Sequence, residues 1–325
     1  MIDAAGRTID YLRVSVTDRC NLRCVYCMPA QGVEPVPYGE LLTLEEIAQV
    51  CAAAARLGVT KVKLTGGEPL VRKGCARLVG MLKAIPGIRE VTMTTNGILL
   101  PRELPGLVEA GLDAVNISLD TLDPAHFEAL TRFPLEGNVR EAIDAALTAG
   151  LRVKVNTVGI EEYNGGDLAE LAALARDRQL DVRFIELMPI GLGKTLTPIP
   201  GEEVCRRLEE RFGPMEPYKG RRGNGPAVYY SVPGFVGKVG FISAVSHEFC
   251  QSCNRVRLTS TGFLKLCLHY NDGISLRDLI RRGAGEEELA ETIRRAILHK
   301  PLHHAFGESC AAPNLEARTM SQIGG

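Results

Sequence analysis

CNLRCVYC, Cys20 to Cys27, sets three cysteines at the spacing C-x3-C-x2-C. Directly before it, YLRVSV (from Tyr11) alternates apolar Leu12, Val14 and Val16 with Arg13 and Ser15, the period of a strand with one apolar and one polar face. Five further runs share this texture: KVKLTG from Lys61, EVTMTTN from Glu90, DAVNISLD from Asp113, LRVKVNTV from Leu151 and DVRFIEL from Asp181. Helical segments lie between them. One opens with Thr43 as N-cap and Glu46 three residues on, and stops at Gly58; another stops at Gly150. Six β/α alternations predict a parallel sheet. A doubly wound sheet is covered on both faces and needs near-continuous apolar strands. Here Lys61, Lys63 and Thr65 oppose Val62 and Leu64, Lys154 and Asn156 oppose Val153 and Val155, and Asn116, Ser118 and Asp120 share a face, as do Thr94 and Asn96. One face meets helices and the other lines a polar hollow. The expectation is a partial (β/α)6, TIM-like barrel over residues 1–190.

The bulk composition narrows the chemistry. The chain has 325 residues, 45% hydrophobic and 24% charged, which suits a soluble enzyme of one large and one smaller domain. A formal net charge of −1 offers no global attraction to nucleic acid or anionic membrane. No apolar run is long enough for a membrane span, and MIDAAGRTIDYLR lacks the apolar core of a secretory signal. Ten cysteines without such a signal favour metal binding over disulfides and a cytoplasmic setting.

After Leu187, Pro and Gly become dense, marking a second, loop-rich α+β region over residues 191–325 that closes the barrel. It carries CQSCNRVRLTSTGFLKLC, with Cys250, Cys253 and Cys267, and NRVRLTSTGFLKLCL reads as a hairpin turning near Ser260–Gly262, which brings Cys253 roughly opposite Cys267. Helical stretches follow near Leu276 and Glu286. GLGKT (Gly191–Thr195) is no P-loop, because Met188 stands where the first glycine of that motif belongs. Cys51, Cys75, Cys205 and Cys310 read as small packed side chains.

Three thiols fall one short of both a structural zinc site and a fully protein-held cubane. A cubane held by three leaves one iron open to a small molecule. For the second set, His269 could instead complete a Cys3His zinc site. Arg13, Lys61, Lys63, Lys154 and Arg183 fall on strands, and Arg255 and Arg257 face one way on the hairpin. Such convergence suits a small polyanion such as a nucleoside triphosphate.

C-x3-C-x2-C after a strand, Tyr26 before its last cysteine, and TGGEP (Thr65–Pro69) resemble the radical S-adenosylmethionine enzymes. With NRVRLT inside C-x2-C-x13-C and two glycines at the C-terminus, the resemblance extends over essentially the whole chain to the GTP 3′,8-cyclase family of molybdenum cofactor biosynthesis. The resemblance implies two [4Fe-4S] clusters. One is held by Cys20, Cys24 and Cys27 and binds S-adenosylmethionine; the other is held by Cys250, Cys253 and Cys267 and binds the guanine of GTP. It places Tyr26, Gly67, Ser118 and Met188 at S-adenosylmethionine, and Arg13, Lys63, Thr94, Lys154, Arg255 and Arg257 at GTP. It brings Gly324 and Gly325 to the catalytic centre. Position 63 departs from relatives, carrying Lys where Arg is usual, so the forked phosphate contact is lost there. The implied partners are a flavodoxin or ferredoxin as electron donor, cyclic pyranopterin monophosphate synthase downstream, and a second copy in a homodimer. Two alternatives stand beside this reading: another radical enzyme with an auxiliary cluster, and a zinc-stabilised nucleotide-binding regulator.

Overall fold

The six amphipathic runs form parallel strands β1 (Tyr11–Ser15), β2 (Lys61–Thr65), β3 (Glu90–Thr95), β4 (Ala114–Ser118), β5 (Arg152–Gly159) and β6 (Leu180–Glu186). They neighbour one another in chain order, the order of a singly wound β/α barrel. The structure is a computed structural model that describes residues 1–247, 249–306 and 314–324. Helices α1 (Leu44–Arg56), α2 (Cys75–Lys83), α3 (Leu100–Glu109), α4 (Pro124–Thr131), α5 (Glu136–Thr148), α6 (Glu161–Asn164) and α7 (Leu168–Ala173) make the crossovers. α1 starts as its sequence predicts: the Glu46 N–H donates to Thr43 Oγ1 at 3.0 Å and the Thr43 N–H to Glu46 Oε2 at 2.7 Å.

The strands' apolar faces meet these helices. Leu12, Val62, Met93, Ile117 and Val155 are completely buried, as are Ile47, Leu78, Leu107 and Ile143 on the helices, in one continuous core. Each such side chain contributes about 1.5–3 kcal/mol relative to exposure, which fixes which strand face turns inward. The polar residues are thereby forced into the hollow.

The second region adds to both edges of this sheet. β10 (Arg255–Leu258) lies parallel to β1, with Tyr11 opposite Arg255 and Arg13 opposite Arg257. β11 (Phe263–Lys265) and β12 (Gly273–Ser275) continue antiparallel. On the other edge β9 (Val239–Ile242) lies parallel to β6, followed antiparallel by β8 (Val228–Ser231) and β7 (Glu216–Tyr218). α8 (Gly201–Phe212), α9 (Arg277–Arg281), α10 (Glu286–Leu298) and α11 (Met320–Ile323) complete the elements, and α10 packs on α1. The β10–β11 hairpin turns at Gly262, where φ is +83°. The turn falls where expected, and the two thiols are offset by two residues. Arg257 opposes Lys265, so two residues further down Cys267 falls beside Arg255. Cys253 sits lower, just after the 3-10 turn Cys250–Ser252.

Candidate functional site: a cationic hollow between two three-thiol sets

Every parallel strand ends at the same mouth, and the first thiol set hangs there, after β1. Its loop is pinned by the TGGEP segment. The Gly67 N–H donates to Thr17 O and the Glu68 N–H to Arg19 O, both at 2.8 Å. A Cβ on Gly67 would lie 2.4 Å from Arg19 O, and one on Gly66 2.6 Å from Thr17 O. Only glycine permits that approach. Glu68 then ties β2 to β3: its carboxylate accepts from Thr95 Oγ1 and the Asn96 N–H, each at 2.7 Å. Asn96 in turn reaches Asn21 Oδ1 at 2.8 Å and Cys20 Sγ at 3.8 Å. Burial raises the Glu68 carboxyl to about 7.

Tyr26 is fixed in the same manner, its hydroxyl donating to Asp120 Oδ2 at 2.8 Å while Asp120 Oδ1 accepts from the Val158 N–H at 2.8 Å. Burial pushes the Cys20 thiol up to about 11 and Cys27 up to about 12, and Cys24 rises as well. Their mutual repulsion as thiolates adds to the effect on Cys24 and Cys27. Three crowded thiols with this donor chemistry are suited to a cationic metal cluster, which favours the thiolate form. Ser118 ends β4 at this mouth and Met188 lies just past β6. Thr94 lies on β3 opposite Asn116.

The C-terminal segment enters this mouth. The Ser321 backbone works against the rise of the Cys27 thiol, and Arg257 Nη1 donates to Gly324 O at 2.6 Å. Gly324 has φ +76°, and a Cβ there would lie 2.8 Å from Ser15 Cβ. The segment therefore reaches a barrel cation at the mouth where the first thiol set hangs. Gly325 and Cys310 lie outside the described residues.

Down the hollow, inward-facing cations crowd together. Burial, with Arg255 and Arg183 facing it, draws Arg13 down to about 10. Burial and then Arg183, Arg13 and Lys154 hold Lys63 well below its ordinary value. Burial and then Arg183 pull Lys154 to about 7, despite Asp181 at 3.8 Å. Burial and then Arg13 and Arg255 depress Arg257 as well. With its amide turned to suit both neighbours, Asn116 accepts from Arg183 Nη2 at 2.9 Å and from Lys63. So many repelling cations in one low-dielectric space favour a multiply charged anion.

The second set lies at the opposite mouth, before β10. A cavity of about 390 Å³ opens there, lined by Lys154, Arg183, Cys253, Asn254, Arg255 and the loop 220–227. That loop crosses the strand starts: Asn224 donates to Glu90, and Arg222 Nε lies 3.8 Å from Asp181. Burial alone would raise the Cys253 thiol, but Lys300 and Arg255 outweigh it and bring it to about 7. A thiolate favoured by cations also fits a cluster ligand. Among the described residues no three His, Cys, Asp or Glu converge as the ligands of a single ion. The thiolates of a cubane bind different irons and need not converge in that way. His269 packs edge-on against Phe306 at 4.4 Å and Tyr270 at 4.7 Å, in an aromatic cluster. Cys51 and Cys75 are buried in or at helices and Cys205 is half-buried on α8.

Four positioning residues were not singled out by sequence: Glu68, Asn96, Asp120 and Arg7. Arg7 is buried, and its guanidinium donates to Cys250 O at 3.0 Å, Leu302 O at 3.1 Å and Pro301 O at 2.8 Å, holding the second loop. Asp120 and Asn96 are polar residues on polar strand faces, and Glu68 sits in TGGEP, so those signals were available. Arg7 had none.

Residues 14–175 match the radical SAM superfamily and residues 180–306 match the family Molybdenum Cofactor Synthesis C. Over all of both chains, the sequence is 47% identical to the GTP 3′,8-cyclase of Pelotomaculum thermopropionicum and 45% identical to that of Clostridium perfringens. The fold is similar to Streptococcus suis SuiB bound to its precursor peptide SuiA, at TM-score 0.57 and 14% identity, covering 91% of this chain and 66% of that one. A barrel with three thiols at its C-terminal mouth, matched along its full length in this way, places the chain in the GTP 3′,8-cyclase family of radical S-adenosylmethionine enzymes, which work with S-adenosylmethionine and an iron–sulfur cluster.

Proposed function

We propose that the chain converts GTP to (8S)-3′,8-cyclo-7,8-dihydroguanosine 5′-triphosphate, the first step of molybdenum cofactor biosynthesis, and that it holds two [4Fe-4S] clusters. The observation that carries this reading is the repelling cation set enclosed between two three-thiol sets, a space that suits a small polyanion such as a nucleoside triphosphate.

Once bound, the first cluster, given one electron, and S-adenosylmethionine would supply the radical chemistry that acts on the ribose of GTP. The chain's residues do the rest. Cys20, Cys24 and Cys27 hold one cluster, and Tyr26, Gly67, Ser118 and Met188 surround S-adenosylmethionine. Arg13, Lys63, Lys154, Arg255 and Arg257 take the triphosphate, with Thr94 on the same inner wall. Cys250, Cys253 and Cys267 hold the second cluster beside the guanine. Gly324 closes the upper mouth against water, and Gly325 is assigned with it to the catalytic centre. Residues 1–190 form the barrel unit and 191–325 the closing unit. A small electron-transfer protein supplies the electron, cyclic pyranopterin monophosphate synthase takes the product, and the chain works in the cytoplasm as a homodimer.

Protein purified without oxygen should contain about eight irons per chain, the content of two cubanes. With GTP, S-adenosylmethionine and a reductant it should release 5′-deoxyadenosine and cyclised GTP in equal amounts. Zinc in place of iron at the second set, or 5′-deoxyadenosine without any cyclised nucleotide, would remove the reading.

A further inference from the structure

Between Cys267 and the C-terminal segment lies a buried ion cluster that serves neither thiol set. Lys265, on β11, is completely buried, and the Glu316 side chain is 1% exposed. Lys265 Nζ donates to Glu316 and, at 2.7 Å, to Tyr270 O. Arg318 closes a fork on the same carboxylate, from Nε to Oε1 and from Nη2 to Oε2, each at 2.9 Å, and also reaches Asn271 Oδ1 at 2.7 Å. Burial would raise the Glu316 carboxyl, but the hydrogen bonds from Arg318 and Lys265 outweigh it and hold it at about 2.

The backbone repeats the contact. Leu315 bridges Tyr270, the Glu316 N–H donates to His269 O at 2.9 Å, and the Asn271 N–H donates to Asn314 O at 2.8 Å. The chain just beyond Cys267 is thus the platform on which residues 314–318 are laid. From there Thr319 and Gln322 cap α11, and the chain runs into the barrel to Gly324.

We propose that Glu316 is a positioning residue: pinned on buried Lys265, it sets the register in which residues 319–324 reach Arg257 between Ser15 and Thr65. A buried charge pair can be satisfied in one register only, whereas an apolar plug tolerates sliding. The register matters because one residue of slip moves the backbone by about 3.5 Å. That breaks a 2.6 Å hydrogen bond from Arg257, and it drives a side chain into the space where a Cβ already lies 2.8 Å from Ser15.

The inference rests on the reading that the C-terminal glycines serve the reaction, and a double-mutant cycle separates the two. Four iron-loaded proteins are compared for cyclised product, uncoupled 5′-deoxyadenosine and iron per chain: the parent, Glu316→Gln, deletion of Gly324 and Gly325, and both changes together. Deletion and Glu316→Gln should each lower product about tenfold or more at unchanged iron, with uncoupled 5′-deoxyadenosine persisting, and the combination should be no worse than deletion alone. Multiplying losses would show that Glu316 acts through general stability, and would overturn its positioning role. If deletion leaves the parent rate, the reading of the glycines fails; if deletion is harmful but Glu316→Gln is not, only the positioning role fails. Should Glu316→Gln fail to fold, Arg318→Ala loosens the same fork from its partly exposed side. Hydrogen exchange should then quicken over residues 319–324 and not over β1–β6; unchanged exchange at 319–324 would overturn the proposal.

Discussion

GTP binding should take up protons, and Lys154 should account for about one of them. Its ammonium is 13% exposed, drawn to about 7 by burial and by Arg183, with Arg152 and Arg222 adding repulsion and Asp181 opposing them. Tyr229 accepts from it at 3.0 Å, and Lys63 faces the same space, itself well depressed. The sign follows from the direction: a lysine held below its ordinary value is part neutral when free, and an arriving polyanion favours its charged form. Binding therefore proceeds with proton uptake and weakens as pH rises. Between about pH 7 and 8 the charged fraction of Lys154 falls from about one half to about one eleventh, so affinity should fall roughly fivefold, about 1 kcal/mol. The terminal phosphate of GTP loses its last proton near pH 6, below this window, and does not offset the trend. Calorimetric titration of GTP in buffers of different ionisation heat counts the protons directly. Near pH 8 Lys154 should supply close to one proton, and Lys154→Arg should lower the count by about that much because a guanidinium stays charged. Equal proton uptake by the parent and Lys154→Arg, or an affinity flat from about pH 7 to 8.5, would refute the account.

Cys24→Ala should abolish 5′-deoxyadenosine formation while leaving GTP affinity within about twofold, because the hollow's cations lie below that mouth; the nucleoside is assayed by chromatography. Cys253→Ala should cut iron content by about half and end cyclisation, and loss of zinc instead would revive the Cys3His alternative with His269. Arg257→Ala should weaken GTP binding by roughly 1.5–3 kcal/mol, the scale of a hydrogen bond to a charged group, as read by equilibrium dialysis. Tyr26→Phe removes the donor to Asp120 and should lower unfolding free energy by about 1 kcal/mol in denaturant titration, with barrel iron retained.

The barrel was legible because its strands carry two faces. Arg13 between Leu12 and Val14, or Lys154 between Val153 and Val155, leaves no ambiguity about which side meets the helices, and all six strands stand where the alternation places them. The edges were less legible. Nothing in NRVRLT says that its strand joins β1 in parallel, since register between segments some 240 residues apart is decided by side-chain packing that no local pattern encodes. The hairpin turns where the sequence placed it, around Ser260–Gly262, which pairs Arg257 with Lys265; Cys253 lies beyond the paired residues, after the 3-10 turn at Cys250–Ser252. Arg7 was hard to see because, apart from Asp3, its partners are carbonyls of Cys250, Lys300, Pro301 and Leu302, and any residue supplies a carbonyl.

Parallel pairing of β10 with β1 has a consequence for the chemistry. Cys20, Cys24 and Cys27 follow a strand, whereas Cys250 and Cys253 precede its neighbour running the same way, so the two sets lie at opposite ends of the sheet. Four to five residues of strand separate those ends, roughly 15 Å at the usual rise. The same pairing aligns Arg257 with Arg13 and Lys63 in one row across β10, β1 and β2, between the two mouths. An antiparallel β10 would have put both sets at one mouth and left the row of cations below them, facing only solvent. Strand direction, more than any single side chain, makes the hollow long enough for a nucleotide to lie between the two thiol sets.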